Sequence, residues 1–186
     1  MKSLFLFLTI ILFASTGFAQ RKKIHFQSIN TISFVGGDSP EKTGFGSTNG
    51  IVYSSWFAGI GAELDNYHFK TIPVFLDGRK YFGSENRLFI YGDLGANLPA
   101  QKKAGKEFYD YSRFYYSGGM YWAGGIGYLF PFIKKSSLLF SLGNSYKSMS
   151  AKTIGNNYCP AGDCAPSYRD YQFKFYRLVV KAGLVF

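Results

Sequence analysis

Few side chains in this sequence could do chemistry. Cys159 and Cys164, the only cysteines, stand in Cys-Pro-Ala-Gly-Asp-Cys. That spacing is not the redox Cys-x-x-Cys, and no further Cys or nearby His completes a zinc set. Two cysteines bracketing Pro and Gly in an exported chain point to a loop disulfide. His25 and His68 are the only histidines. A nucleophile–base–acid set drawn from Ser54 or Ser55, His68 and Glu63 would suit acyl transfer. The spacing does not assemble it, because Ser54 and Ser55 fall at the opposite end of their strand from His68. No catalytic residue, metal ligand or cofactor-binding residue is therefore assigned.

The remaining candidates are charges. Glu63, Asp77, Arg79, Asp93, Arg177 and Lys181 each fall inside an alternating stretch, three acids against three bases. Such a set could line an ion path, or pair and plug a narrow interior. Lys102, Lys103 and Lys106 lie in a polar stretch and could hold phosphates, though exposed loop charge usually serves solubility. Phe108-Tyr109-Asp110-Tyr111, continuing to Tyr115-Tyr116, is either a binding surface or an aromatic girdle running into its loop.

Strands must position these groups. From Tyr171 to Phe186, Tyr176, Leu178, Val180, Ala182, Leu184 and Phe186 share one face at period two. The opposite face carries Phe173, Phe175, Arg177, Val179, Lys181 and Val185. The same period marks strands near 26–36, 46–53, 56–64, 69–82, 88–98, 116–130 and 137–143. Apolar faces are Ile72, Val74 and Leu76; Leu88 and Ile90; Tyr116, Met120 and Trp122; and Leu138, Phe140 and Leu142. Pro73 removes a ladder donor, and a bulge is expected there. About eight strands result. Short turns at 54–55, 83–86 and 131–136 alternate with long polar stretches at 36–44, 99–113 and 148–169; only the short 65–68 connection breaks the alternation.

The chain has 186 residues, 20% of them aromatic and only 17% charged, which suits an all-β protein in an unusual solvent. The net charge of +10 is dispersed over termini, loops and turns, so nucleic acid is not a partner. Met1 to Ala19 reads as a secretory signal peptide: Lys2, the apolar run Leu4–Phe13, and Gly17-Phe18-Ala19 as cleavage site. Residues 20–186 then form one domain. No later stretch is apolar enough to span a membrane as a helix, so membrane insertion would require a closed barrel.

Two solutions fit the alternation. A soluble, lipocalin-like carrier would turn the apolar face inward. A membrane barrel turns it toward lipid and packs the polar face inside. Phe75, Phe89, Tyr91, Phe173 and Phe175 interleave with the charges, which favours a packed lumen over a wetted surface. Aromatics near strand ends suggest two girdles: Tyr53, Trp56, Tyr81, Phe82, Phe130 and Phe132 at the turn end, Tyr67, Tyr115, Tyr116, Tyr146 and Tyr171 at the loop end.

Signal peptide, alternation, unequal loops and the terminal Phe186 together resemble the small outer-membrane β-barrel family typified by the OmpA transmembrane domain and OmpX. The resemblance implies a closed antiparallel up-and-down transmembrane barrel, all-β, in the outer membrane of a Gram-negative cell. It implies a structural, anchoring, adhesive or membrane-integrity role rather than an enzyme or small pore, and no cofactor. Lipid-facing residues would be Ile72, Val74, Leu76, Leu88, Ile90, Leu138, Phe140, Leu142, Leu178, Val180, Leu184 and Phe186. Expected partners are outer-membrane lipid, lipopolysaccharide, and the barrel-assembly machinery through the C-terminal strand, with the barrel itself a monomer.

Overall fold

The computed structural model describes residues 24–37, 43–100, 113–133, 136–155 and 167–186. Residues 1–19, read from the sequence as a signal peptide, and both cysteines lie outside them. Nine strand segments follow in order: β1 (His25–Gly36), β2 (Thr43–Tyr53), β3 (Trp56–Asp65), β4 (Thr71–Phe82), β5 (Leu88–Pro99), β6 (Arg113–Ser117), β7 (Gly119–Ile133), β8 (Ser136–Gly155) and β9 (Ser167–Val185). All pair antiparallel, and β1 pairs with both β2 and β9, which closes the sheet. β6 and β7 both lie on β8 and form two halves of one barrel strand, so the ring has eight members. Closure leaves no unpaired edge around the ring.

The alternation carries through to burial. Along β4, Thr71, Pro73, Phe75, Asp77, Arg79 and Tyr81 are buried, while Ile72, Val74, Leu76 and Phe82 are exposed. A strand sends successive side chains to opposite faces, so one pattern serves two environments. Here the charged residues turn in and the aliphatic residues turn out.

Tight turns close one end. Tyr53 pairs with Trp56 across Ser54-Ser55, with Ser54 at φ 62°, and Gly83 (φ 85°) and Asn86 (φ 53°) shape the β4–β5 turn. Tyr53, Trp56, Phe82, Phe130 and Phe132 ring this end on the outside. Lys80 reaches back to it, its ammonium 4.6 Å from the Trp56 ring centre and 2.6 Å from the Ser55 hydroxyl. At the other end, Trp122, Tyr146 and Tyr176 form a row with centroid spacings of 6.1 and 4.8 Å.

Four sequence expectations are corrected. Tyr81 and Tyr67 are buried and point inward: Tyr81 shares the parity of Arg79 on β4, and Tyr67 lies in a connection that Asp65 and Lys147 hold into the barrel mouth. Pro73 makes no bulge: the β3–β4 ladder skips Glu63 and Leu64 and resumes at Asp65 opposite Thr71 in the same register. Tyr116 does not share a face with Trp122. Ser117 pairs with Ser150 and Tyr121 with Lys147, so an extra residue is inserted around Gly118, and that bulge inverts the parity. Tyr116 accordingly sits opposite the buried Ala151 and packs 5.5 Å from Phe69.

The fourth correction concerns length. β8 runs to Gly155 and β9 begins at Ser167, inside the stretch 148–169 expected to be loop. Met149, Ala151 and Thr153 keep the inward parity and are buried, so the strand persists where its outward residues turn polar. The β8–β9 ladder extends from Ser137 opposite Val185 to Gly155 opposite Ser167, whereas β1 covers β9 only up to Leu178. The hairpin, with β6 alongside β8, therefore stands above the β1 side of the ring.

Candidate functional site

The interior is built in storeys along the barrel axis. At the tight-turn end, Ile29, Val52, Phe57, Tyr81, Phe89, Leu139 and Val185 form an apolar base. The Tyr81 hydroxyl donates to Gln27 Oε1 at 3.0 Å. Large rings fit because glycines face them: a Cβ on Gly127 would lie 2.3 Å from Phe89, and one on Gly61 2.5 Å from Phe75.

Above the base lie two ion clusters. Asp77 and Arg79, two residues apart on one strand, share the inner face by period two. Arg79 Nη2 donates to Asp77 Oδ2 at 2.6 Å, and Nε reaches both carboxylate oxygens at 3.0 Å. The guanidinium is boxed by Phe57, Phe89 and Tyr91, 5.6, 5.3 and 5.8 Å from the ring centres. Beside it, Lys181 Nζ lies 3.3 Å from Asp93 and 3.7 Å from Glu63, which also accepts the Ser33 hydroxyl. Phe75 and Tyr91 flank the ammonium at 5.8 and 5.4 Å.

A third cluster, nearer the loop end, centres on Asp65. Its Oδ2 accepts Arg177 Nη1 at 2.5 Å and lies 3.2 Å from Lys147 Nζ. Its Oδ1 accepts the Tyr67 backbone N–H at 2.8 Å, an Asx turn. Lys147 also donates to the Tyr67 carbonyl at 2.8 Å and to the Thr71 hydroxyl at 3.2 Å. The 66–70 connection is thus pinned into the mouth, with His68 at φ 60°. That explains a short connection at the end where the others are long. Over it lies an aromatic layer: Phe69 packs at a tilt 5.0 Å from Phe173, and Tyr67 and His68 lie 5.8 and 5.3 Å from Phe175.

All six charges singled out in the sequence are buried in this interior, distributed over these three clusters. Asp65 and Lys147 join them. Four buried carboxylates (Glu63, Asp65, Asp77, Asp93) thereby face four buried cations (Arg79, Lys147, Arg177, Lys181), a neutral set among the described residues. Lone buried charges are prohibitive, and paired, hydrogen-bonded ones are tolerable. Sequence reasoning missed Asp65 by reading it as a turn and Lys147 by ending its strand at Gly143. Carrying the inward parity one step on from Glu63, and two steps on from Gly143 through Ser145, reaches both.

The structure does not bring Ser54 or Ser55 to His68. Ser54 and Ser55 sit in the tight turn, whereas His68 lies in the aromatic layer at the far end. The described residues contain no cluster of three or more His, Cys, Asp or Glu that could hold a metal.

On the outer wall, Ile72, Val74, Leu76, Leu88, Ile90, Phe140, Leu142, Leu178, Val180, Leu184 and Phe186 are exposed, and Leu138 is half-exposed. No helix among the described residues is long and apolar enough to cross a membrane, which says nothing of crossing by strands.

No family model matches the chain, and no curated protein matches it. Among solved structures, the chain is similar to the outer membrane protein AlkL, determined by solid-state NMR in DMPC lipid bilayers. The two align over 92% of each chain at 10% identity, with a TM-score of 0.47.

Proposed function

We propose that this chain is an integral outer-membrane barrel with a structural or anchoring role, its lumen plugged by ion pairs and aromatic rings. One observation carries the reading, the inversion of burial. Leu76, Leu94, Ile60 and Ile126 are each 58–64% exposed, while Asp77, Asp93, Arg79 and Lys181 are each 3–6% exposed. Water would reject that outer wall, and lipid would welcome it. A soluble carrier needs an apolar lumen, and these strands enclose carboxylates and guanidinium groups instead. The reading takes membrane lipid and lipopolysaccharide as surroundings, and the assembly machinery as the partner of β9. It assigns the protein no catalytic step.

The test is gel mobility of the outer-membrane fraction with and without boiling in detergent, followed by reconstitution into planar bilayers. A heat-dependent shift without discrete conductance steps is expected. Recovery in the soluble fraction with no shift would overturn the membrane reading; steady conductance would overturn the plug.

A further inference from the structure

Among the described residues, outward polar side chains cluster at one place within the apolar band. On β1, Ser28 and Asn30 turn outward between Phe26 on one side and Ile32 and Phe34 on the other. On β2, Ser47 and Asn49 do the same between Ile51 and Phe45. The register joins them, with Ser28 opposite Asn49 and Asn30 opposite Ser47. They form a four-residue polar window set inside the apolar band. Neighbouring strands at these rungs carry Leu184, Ala62 and Ile60. Asn144 on β8 is an outward amide too, but single and next to the Tyr146 girdle.

Inside the window the bonding is incomplete. Asn49 Nδ2 reaches Ser47 Oγ only at 3.5 Å, and the Asn30 amide makes no hydrogen bond among the described residues. Hydrocarbon offers no partner for either, and water is excluded at mid-band. Beside the window runs a groove of about 510 Å³, lined by Asn30, Ile32, Phe45, Phe140, Ala182 and Leu184. It is open because the outward Ala182 lacks bulk on the rung between Ile32 and Phe140.

The geometry points to a second copy of this chain as the occupant, docked two-fold through β1 and β2. This rests on the membrane reading above. An amide carries two donors and a carbonyl acceptor, so one polar window satisfies another like it. A two-fold axis brings the same patch to itself, so Asn30 and Asn49 of one copy meet those of the next. The adjoining groove receives apolar side chains from the facing wall, and polar side chains of this kind hold spans together in lipid.

Sedimentation equilibrium in density-matched detergent micelles tests this on the full chain and on Asn30→Leu/Asn49→Leu. Leucine suits the band, so the variant keeps its heat-dependent gel shift. The wild type is expected to sediment as a dimer. The variant's dissociation constant should rise at least about ten-fold, because two amides are lost from each copy. A wild-type barrel that inserts into micelles yet stays monomeric at all concentrations overturns the inference and leaves the membrane reading intact. So does a dimer the variant does not weaken, which would place the contact elsewhere. A chain that stays in solution without detergent overturns both.

Discussion

Replacing Asp65 with alanine leaves Arg177 and Lys147 side by side with no anion between them. It also frees the Tyr67 N–H that holds the 66–70 connection. Removing one partner of a buried ion cluster costs about 3–5 kcal/mol, since the survivors stay desolvated. Urea unfolding in phospholipid vesicles should show Asp65→Ala losing that much; a loss under about 1 kcal/mol would mean that water enters and screens the cluster. The residues of this interior were partly legible from sequence. Glu63, Asp77, Arg79, Asp93, Arg177 and Lys181 announced themselves because apolar neighbours fixed their parity. Asp65 beside Asn66 resembles a turn, and Lys147 follows Tyr146 where the apolar face ends. Residue type made both resemble solvated ends, and only the inward parity carried past those signals separates them.

Ring closure at the element scale depends on glycines as much as on apolar residues. Gly127 on β7 faces Phe89, which is fully buried, and a methyl group there would also sit 2.7 Å from the Phe140 carbonyl oxygen. Gly127→Ala should cost about 1–3 kcal/mol by overpacking, read as a lower urea midpoint with the heat-dependent gel shift retained. Gly83, where a Cβ would meet nothing within 4 Å, gives a contrast: its φ of 85° would strain the backbone, but the ring would be undisturbed. Strand number, order and the outward faces of β3 to β5 could be read from period two alone. The bulge at Gly118 could not, because one inserted residue leaves no compositional trace yet turns Tyr116 from outside to inside. The length of β8–β9 was missed for a related reason: its outer face becomes Ser148, Ser150 and Lys152 while its inner face still packs.

On the scale of the whole molecule, the inversion predicts how an inserted charge depends on height. Leu76 lies mid-wall and Phe132 beside the β7–β8 turn, both exposed at 64% and 66%. In water the two would tolerate arginine equally. In a bilayer, Leu76→Arg should cost about 2–4 kcal/mol and Phe132→Arg about 0–1. Equal, small losses at both positions in vesicles would return the protein to solution. Whole-molecule architecture was the most legible level, because alternation, short turns and long loops repeat around the ring and reinforce one another.

The pairing of β1 with β9 sets a timetable. Other ladders around the ring join segments close in sequence, but this one joins residues 29–36 to 178–185. Its loop-closure cost is the largest in the chain and falls due only after the intervening strands are in place. Until then both outermost strands expose open edges, the condition in which β proteins aggregate. The chain is therefore most vulnerable just before the ring shuts, and whatever escorts it must hold those two edges until they meet.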